Sequence, residues 1–362
     1  MKKINILHVG GHHSVHVTDI VTELSKSPIV GDQVLFGYKL FLVPGYTCYN
    51  YPYAGKYSIT KELIDKVSMI FKSHKIDIVI LHSLYNTSSV FSLINVPSIL
   101  IPWSVPISST IKNNKQWECE KKTLEGTNSI LFPNLKGLEG LKNFYNINKD
   151  LDFVKFHTLI PCVSSDRTES SIARILSPRT LCERYGQTTL LSALKRLYNI
   201  GVVDFKCVFL SGQSSAFNKS YVNMFKRRAG TLEIPNITVI DKALSKTVFF
   251  NLLLENDIFV SLTTHDGGYA GTNFSILSSG GILIAPKSNS LWMDIIDRKN
   301  YIAFKDGSED DLLVQLQYAI NNKLKLQQLF GETNKHFKEY DSILMIKALE
   351  RTITKWVSTE TT

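Results

Sequence analysis

The sequence predicts an α/β protein with two doubly wound parallel sheets, and three observations lead to this fold class. The chain has 362 residues, which is long for one hydrophobic core and typical of two domains. Short apolar runs alternate along the chain with segments whose apolar residues have helical spacing. Glycine pairs follow two of these apolar runs, at Gly10-Gly11 and at Gly267-Gly268. A strand, a glycine loop and a helix, in that order, begin a doubly wound sheet.

Apolar runs and helical spacing define the elements of the first half. The first apolar run is followed by a helix in which Val17, Ile20, Val21 and Leu24 share one face. The Tyr- and Gly-rich segment 44–56 is predicted to be a loop, and residue 58 or 60 to cap the next helix. The predicted strands are 3–9, 33–43, 77–82, 97–102 and 129–133, and the predicted helices are 15–25, 60–74, 115–125 and 135–145.

The same rules apply to the second half, which follows a polar segment at 164–171. That segment is the predicted link between a first domain, 1–163, and a second domain, 172–338. The predicted strands are 174–178, 205–210, 237–240, 257–262 and 282–284. The predicted helices are 188–198, 246–255, 291–298, 310–321 and 340–357, with another that restarts an apolar face at Phe274.

Composition limits the class of protein. Hydrophobic residues make up 44% of the chain and charged residues 20%, as in soluble globular proteins. No apolar run approaches the roughly 18 residues of a membrane span. The apolar N-terminus starts like a signal peptide, but Asn5 and His8 interrupt it, which favours a buried first strand. The five cysteines are widely spaced and odd in number, which indicates reduced thiols and a cytoplasmic protein.

The net charge is +9, and residues 1–165 carry 17 Lys/Arg against 12 Asp/Glu. This excess suits an anionic membrane surface, an acidic substrate or nucleic acid, but it is equally consistent with a merely basic surface. The chain has no Arg-rich tract, zinc-finger pattern or RNA-recognition signature. Nucleic acid is therefore a minor option among the partners.

Histidines lie at the ends of two predicted strands. His12 and His13 follow the first strand together with His16, but no Cys or carboxylate completes a metal-ligand set. We therefore predict no metal site, and we expect these histidines to line a cleft or to cap the helix. His82 ends a buried strand, which is where ligands bind in such sheets.

The segment 261–286 contains a strand end, a polar glycine loop, an apolar helix and a second strand. Free N–H groups and the positive end of the helix dipole meet at such a point, where phosphate binds well. An ordinary βαβ unit with a tight turn is the alternative interpretation.

Several segments together resemble one known family. In order, these are the Arg-led segment 177–186, the strand 205–212 with its final glycine, and the strand–helix–strand run 236–262. The active-site loop and its helix come next, with Gly280 after the helix and Ala285 at the end of the following strand. At the front, Gly10-Gly11 with His16 and the strand DIVILHS add to the likeness. The chain resembles the retaining glycosyltransferase family 4, and the resemblance covers nearly its whole length.

The resemblance implies a GT-B fold, in which two Rossmann-like domains face a central cleft and a C-terminal helix, 339–362, packs back on the first. It implies a metal-independent, retaining transfer from a nucleotide-sugar donor, such as a UDP- or GDP-sugar, with no cofactor. A lipid-linked or surface-polysaccharide acceptor would bind the first domain. The basic first domain would then lie at the inner face of the membrane, so the protein would be cytoplasmic and peripheral.

By the same resemblance, Arg179 and Arg184 are predicted to hold the diphosphate of the donor. Guanidinium groups are permanent cations that can bind phosphate oxygens bidentately. The alternative is two surface arginines in a turn. The resemblance also implies the other predicted donor contacts, which are Gly10, Gly11, Gly267, Gly268, Asn273 and Ser275.

The chain departs from the family at its two glutamates, whose places are taken by Gly267 and Ser275. Asp266 lies one place earlier and is predicted to act with His265 as the catalytic pair, although Asp266 is equally suited to be a turn cap. Asn273 or Ser278 is expected to share the ribose contact. Trp103-Ser104 stands where the family has a first-domain histidine, so Ser104 is a predicted cleft residue.

Three hypotheses about function follow. The first is a glycosyltransferase that acts on a lipid-linked or polysaccharide acceptor. The second is a catalytically degenerate GT-B module that binds a partner or a sugar nucleotide as a scaffold, which the missing glutamates favour. The third is another GT-B chemistry, such as epimerisation of a sugar nucleotide or glycosylation of nucleic acid or protein.

Overall fold

The structure is a computed structural model. It describes residues 2–10, 15–37, 45–50, 59–84, 87–102, 115–156, 170–211, 218–263, 271–288, 295–335, 337 and 342–359. The chain divides into two compact units, Met1–Leu159 with Tyr340–Thr362, and Ile160–Glu339. Every strand pairing among the described residues is parallel. The predicted fold class, with two parallel sheets flanked by helices, is confirmed.

The first unit is built on a seven-stranded sheet with the order β3-β2-β1-β4-β5-β6-β7. The order reverses beside β1, so its switch point lies between β1 and β4. The strands are β1 (Ile4–Gly10), β2 (Val30–Gly37), β3 (Thr47–Asn50), β4 (Ile78–His82), β5 (Ser98–Ile101), β6 (Ser129–Phe132) and β7 (Phe153–Lys155). The helices are α1 (Val15–Leu24), α2 (Lys61–His74), α3 (Ser88–Phe91), α4 (Lys115–Gly126) and α5 (Leu135–Tyr145).

The second unit is built on a six-stranded sheet with the order β10-β9-β8-β11-β12-β13, so its switch point lies between β8 and β11. The strands are β8 (Ala173–Thr180), β9 (Phe205–Leu210), β10 (Ile237–Ile240), β11 (Ile258–Val260), β12 (Ile282–Pro286) and β13 (Ile302–Phe304). The helices are α6 (Gln187–Asn199), α7 (Lys219–Thr231), α8 (Lys246–Glu255), α9 (Gly271–Ser278), α10 (Glu309–Asn321) and α11 (Lys323–Thr333).

Local signals account for several boundaries. Thr60 is the N-cap of α2, and its hydroxyl accepts a hydrogen bond from the Leu63 N–H at 3.2 Å, as predicted for one of the two candidate caps. Ser308 caps α10 in the same way, ahead of three acidic residues that suit the positive end of the helix. The central strands β1, β4 and β12 are almost wholly buried, which is why they read as continuous apolar runs.

Two predictions about elements are wrong, and several elements were not predicted. The Tyr-rich segment contains β3, a partly buried edge strand that the loop-like composition concealed. Residues 295–298, predicted to be the end of a helix, are not helical: Asp297 forms a bridge with Tyr301, and Arg298 has a φ of 62°. The short strands β7 and β13, and the helices α7 and α11, were not predicted, because three-residue strands and mostly polar helices give weak periodicity.

The helix α12 (Ser342–Thr359) packs against the first unit. The Trp356 indole N–H donates to the Ser129 hydroxyl at 2.6 Å, and Lys355 lies 2.8 Å from the Asp152 carboxylate. Ser129 in turn donates to Asp152. These contacts, with buried Leu349 and Ile353, hold the C-terminal helix beside β6 and β7. No helix in the described part of the chain is long and apolar enough to cross a bilayer.

A buried ionic network lies at the amino end of the second sheet. The Asp257 side chain, only 1% exposed, accepts hydrogen bonds from the Arg174 guanidinium at 2.8 and 3.0 Å. It also accepts from the Arg174 backbone N–H at 3.1 Å and from the Gln327 amide at 2.9 Å. The buried Lys323 ammonium lies 3.7 Å away and donates to the Ile172 carbonyl. The network therefore ties β8, β11 and α11 together.

Candidate functional site

The carboxyl end of β8 leads into a tightly held loop at the switch point of the second sheet. Buried Gln187 closes the loop: its amide donates to the Thr180 carbonyl at 2.9 Å and to the Arg179 carbonyl at 3.4 Å, and its oxygen accepts from the Cys182 N–H at 3.4 Å. Gly186 has a φ of 65°, which favours glycine. Three hydrogen bonds from one side chain therefore fix the backbone that carries Arg179.

Arg179 is half-buried, and its guanidinium lies 5.4 Å from the ring centroid of Tyr185. That ring supports the cation from one side, as in other cation–π pairs. A Cβ added at Gly186 would lie 3.7 Å from Leu262, so this loop lies beside the residues that follow β11. A half-buried arginine at the carboxyl edge of a parallel sheet is well placed to bind an anionic ligand.

The residues after β11 continue the strand towards α9. The Ser261 N–H donates to the Ile284 carbonyl at 3.0 Å, which extends the pairing with β12 by one residue. Ser261 and Thr263 are 0% and 2% exposed, and among the described residues neither hydroxyl has a hydrogen-bond partner. A buried hydroxyl without a partner destabilises a protein by about 1–3 kcal/mol. Two such groups therefore need an explanation.

The helix α9 carries two predicted donor contacts. Asn273 is buried near its N-terminus, and Ser275 is buried two residues further on. The Ser275 hydroxyl donates to the Gly271 carbonyl at 3.1 Å, so its hydrogen is already used within the helix. Both roles stay predictions. Because Ser275 retains only acceptor capacity, it can accept a hydrogen bond from a ribose hydroxyl but cannot donate one in this rotamer.

Several predicted site residues lie outside the described residues. These are Gly11, His12, His13, Ser104, His265, Asp266, Gly267 and Gly268. Arg184 lies in a 3₁₀ turn, Glu183–Tyr185, but its side chain also lies outside the part that the structure describes. The catalytic roles of His265 and Asp266 therefore stay predictions. Among the described residues, no group of three or more His, Cys, Asp or Glu is arranged to hold a metal ion.

The switch point of the first sheet has an unusual backbone. Gly10 pairs with His82 across β1 and β4, and its φ is 145°. A Cβ added there would lie 2.4 Å from the His82 carbonyl oxygen, so only glycine fits. Ser83, directly after His82, has a φ of 92°, a strained conformation for a residue with a side chain. Such backbone concentrates at functional sites.

His82 belongs to a buried polar chain that the sequence did not reveal. His8 Nδ1 lies 2.9 Å from His82 Nε2, and His8 Nε2 lies 3.0 Å from Gln33 Oε1. The Gln33 amide donates to the Val21 carbonyl at 3.0 Å. Because that carbonyl can only accept, Gln33 Oε1 faces His8 and His8 carries its proton on Nε2. His82 must then donate from Nε2 to His8 Nδ1.

Both rings of this chain are held neutral. Burial lowers the pKa of His8 to about 4, although the hydrogen bond to Gln33 opposes the effect. Burial, together with His8, also lowers the pKa of His82 well below its usual value. The ordered chain is therefore intact near neutral pH, with each nitrogen in a fixed donor or acceptor role.

We expect stability to depend on pH through His8. Its pKa is about 6.5 in the unfolded chain and about 4 in the folded one. Between these two pH values only the unfolded chain binds the proton. The free energy of unfolding is therefore highest above pH 6.5, and it decreases by about 3 kcal/mol as the pH drops to about 4. Denaturant unfolding at pH 7, 6 and 5 measures this. In His8→Asn the slope between pH 6.5 and 5 should be smaller, and parallel curves for the two proteins would contradict the prediction.

Five site residues were missed from the sequence: His8, Gln33, Gln187, Ser261 and Thr263. One signal was available, because His8, Ser261 and Thr263 are polar residues within or directly after buried apolar strands. Burying a polar group is unfavourable unless it has a partner, so such positions indicate a network or a ligand. No comparable signal marks Gln33 or Gln187, whose surroundings do not distinguish them from surface glutamines.

No family model and no curated protein sequence matches this chain. Solved structures match it over nearly its whole length. A glycosyltransferase from Rickettsia africae ESF-5 is 15% identical, with a TM-score of 0.74, and the match covers 99% of each chain. Sucrose-phosphate synthase from Thermosynechococcus elongatus is 9% identical, with a TM-score of 0.76, and the match covers 99% of this chain and 100% of that one.

Anabaena HepE, solved in complex with UDP, is 10% identical, with a TM-score of 0.73, and the match covers 98% of this chain and 100% of that one. These neighbours share the GT-B fold. At such low identity the likeness establishes architecture rather than chemistry. The chain therefore has the GT-B fold, with two Rossmann-like units that are each built on a parallel sheet.

Proposed function

We propose that this protein is a glycosyltransferase that transfers a sugar from a nucleotide-sugar donor. The observation that carries the proposal is the position of Arg179 at the carboxyl end of β8, where Gln187 fixes its backbone at the switch point of the second sheet. The turn that follows lies beside the end of β11. In open α/β sheets, ligands bind at this point. The GT-B fold adds support, because the solved proteins that share it with this chain include glycosyltransferases.

The proposed chemistry breaks the bond between the anomeric carbon and the phosphate oxygen of the donor. The nucleoside diphosphate leaves with the bonding electrons. An acceptor hydroxyl bonds to the anomeric carbon and gives its proton to the leaving diphosphate or to water. Negative charge therefore grows on the diphosphate. Arg179 and the first-turn N–H groups of α9 are fixed positive groups that stabilise this charge, which supports a metal-independent reaction.

The donor base in this proposal is uracil. HepE was solved with UDP, and a second structure of HepE holds UDP and glucose. A UDP-hexose is therefore the first donor to try, with a GDP-sugar as the alternative. Retention of configuration, and the roles of Asp266 and His265 at the anomeric centre, are part of the proposal by resemblance to family 4.

The acceptor is proposed to be a lipid-linked sugar or a surface polysaccharide, bound by the first unit. Its switch point, with the fixed His82 ring beside Gly10, is the position in that sheet where a ligand is expected. The lysine excess of residues 1–165 would favour contact with an anionic membrane surface. Protein and nucleic-acid acceptors remain alternatives within the same chemistry.

One observation favours a second function, that of a non-catalytic binding module. Ser275 stands where the family has a glutamate, and its hydroxyl hydrogen is donated to the Gly271 carbonyl within α9. A serine used in this way cannot hold a ribose diol as a carboxylate does. Such a module would still bind a nucleotide sugar but would not turn it over.

Calorimetry and product release together test the proposal. We expect the purified protein to bind UDP and UDP-glucose saturably, and UDP at 100 times its Kd to stabilise the folded state by about 2.7 kcal/mol. We also expect slow release of UDP from UDP-glucose in water. Binding without release would favour the binding module. Absence of binding to UDP, GDP and their hexose conjugates would contradict both functions.

A further inference from the structure

The two hydroxyls that follow β11 are the basis of this inference, which rests on the proposed function. Ser261 Oγ and Thr263 Oγ1 are shielded from solvent, and the residues that the structure describes offer neither a hydrogen-bond partner. They are two residues apart, so an extended backbone directs both to the same side. Two buried hydroxyls without partners on one side of a strand end indicate a binding site for a ligand that accepts hydrogen bonds.

The side to which they point is the one covered by α9. The Phe259 side chain lies on the same face of the strand as Ser261, because the two residues are two positions apart. A Cβ added at Gly281 would lie 2.5 Å from the Phe259 ring and 3.0 Å from Ile276 of α9, so all three residues meet on this face. The helix therefore packs on this face of β11. On the opposite face Leu262 packs against the hydrophobic core beneath α6. The hydroxyls accordingly lie on the α9 side of the strand, at the carboxyl edge where that helix begins.

The chemistry of this edge favours an anion. The first N–H groups of a helix have no partner within the helix, and the helix dipole is positive there. Arg179 supplies a permanent cation from the adjacent strand. A hydroxyl that donates to a charged oxygen forms a stronger bond than one that donates to a neutral group.

We propose that Ser261 and Thr263 are binding residues for the donor diphosphate, each donating its hydroxyl hydrogen to a phosphate oxygen at the start of α9. In the free protein both hydroxyls are buried and have no partner among the described residues, and the diphosphate supplies partners on binding. The two hydroxyls therefore lower the stability of the free protein and raise its affinity for the diphosphate. A serine or threonine with a purely structural role would raise stability and would not affect the binding of the ligand.

The test compares Ser261→Ala and Thr263→Val in the full-length protein. Each removes an unsatisfied buried hydroxyl, so we expect the Tm of the free protein to rise by about 2–4 °C. We expect the affinity for UDP to fall by about tenfold for each variant, because one hydrogen bond to a charged group is lost. Inorganic pyrophosphate should lose affinity by the same factor. Thr263→Ser retains the hydroxyl, so it should bind UDP with an affinity close to that of the wild type, unlike Thr263→Val.

Ser27→Ala is the matched control. Ser27 Oγ is also buried without a partner among the described residues, but it lies in the first unit. The Tm of the Ser27→Ala variant should rise, and its affinity for UDP should equal that of the wild type. A lower Tm in Ser261→Ala and Thr263→Val, or unchanged UDP affinity, would overturn the inference and leave the proposed function standing. If the two variants lost affinity for UDP but not for pyrophosphate, the assignment of the hydroxyls to the diphosphate would be overturned. A wild-type protein that binds neither probe would overturn both.

Discussion

Replacing Arg179 by alanine is expected to weaken the binding of UDP by about 10- to 150-fold. The range corresponds to the loss of one or two hydrogen bonds between a charged donor and phosphate, at about 1.5–3 kcal/mol in total. Gln187 holds the Arg179 backbone and Tyr185 supports the guanidinium, so the cation is oriented before the ligand arrives. Little ordering entropy is then lost on binding, which makes the removal of this side chain costly.

Isothermal titration calorimetry of the wild type and the variant measures this effect directly. Arg179→Lys should recover part of the affinity, because an ammonium keeps the charge but loses the bidentate geometry. Arg196→Ala is the matched control, since Arg196 is exposed on α6 and paired with Glu309 and Asp310. Arg184→Ala is expected to weaken binding in the same way as Arg179→Ala. Unchanged affinity in both Arg179→Ala and Arg184→Ala would remove the phosphate assignment.

Replacing Asp257 by alanine is expected to lower the free energy of unfolding of the second unit by about 3–5 kcal/mol. The change leaves the Arg174 guanidinium and the Lys323 ammonium without their shared carboxylate. Breaking a buried ion pair from one side is strongly destabilising, because the remaining charge is buried and uncompensated. Asp257 also accepts from the Arg174 backbone and Gln327, so two further donors lose their acceptor.

Urea unfolding of Asp257→Ala, with Asp310→Ala as control, provides the measurement. Asp310 pairs with Arg196 at the exposed surface, where a salt bridge contributes about 0–1 kcal/mol. A loss below about 1 kcal/mol in Asp257→Ala would show that the network contributes little.

The network also predicts behaviour in acid. Burial alone would raise the pKa of Asp257, but the hydrogen bonds from Arg174 and the charge of Lys323 lower it overall. The contribution to stability is therefore complete above the unfolded pKa of about 3.9 and is lost as pH falls through the lower folded value. Asp257→Asn should accordingly show a shallower loss of stability in acid than the wild type.

Much of the fold could be predicted because its signals are local. The buried strands at 77–82 and 205–210 stand out as short apolar runs, and Thr60 marks the start of α2. The alternation of such runs with amphipathic helices was enough to predict two parallel sheets. The edge strand β3 was missed, because an edge strand needs less apolar sequence and its tyrosines resemble a loop.

The candidate site could be predicted only in part. Arg179 was predicted from the family resemblance and the start of α9 from a glycine-rich turn, and both remain predictions of a phosphate site. The partners of these groups were not predicted, since Gln187 acts by folding back onto the carbonyls of residues 179 and 180. Ser261 lies at the end of a predicted strand and Thr263 directly after it, but only the structure shows that both hydroxyls are buried.

The sequence by itself determined the alternation of strands and helices, the parallel α/β fold class and the basic character of the chain. Each of these depends on neighbouring residues or on composition. Only the tertiary structure decided that His8 contacts Gln33 and His82, or that Asp257 lies against Lys323. These partners are 25, 74 and 66 residues apart in the chain. They meet because strand order and register bring distant side chains together, and local periodicity contains no information about that register.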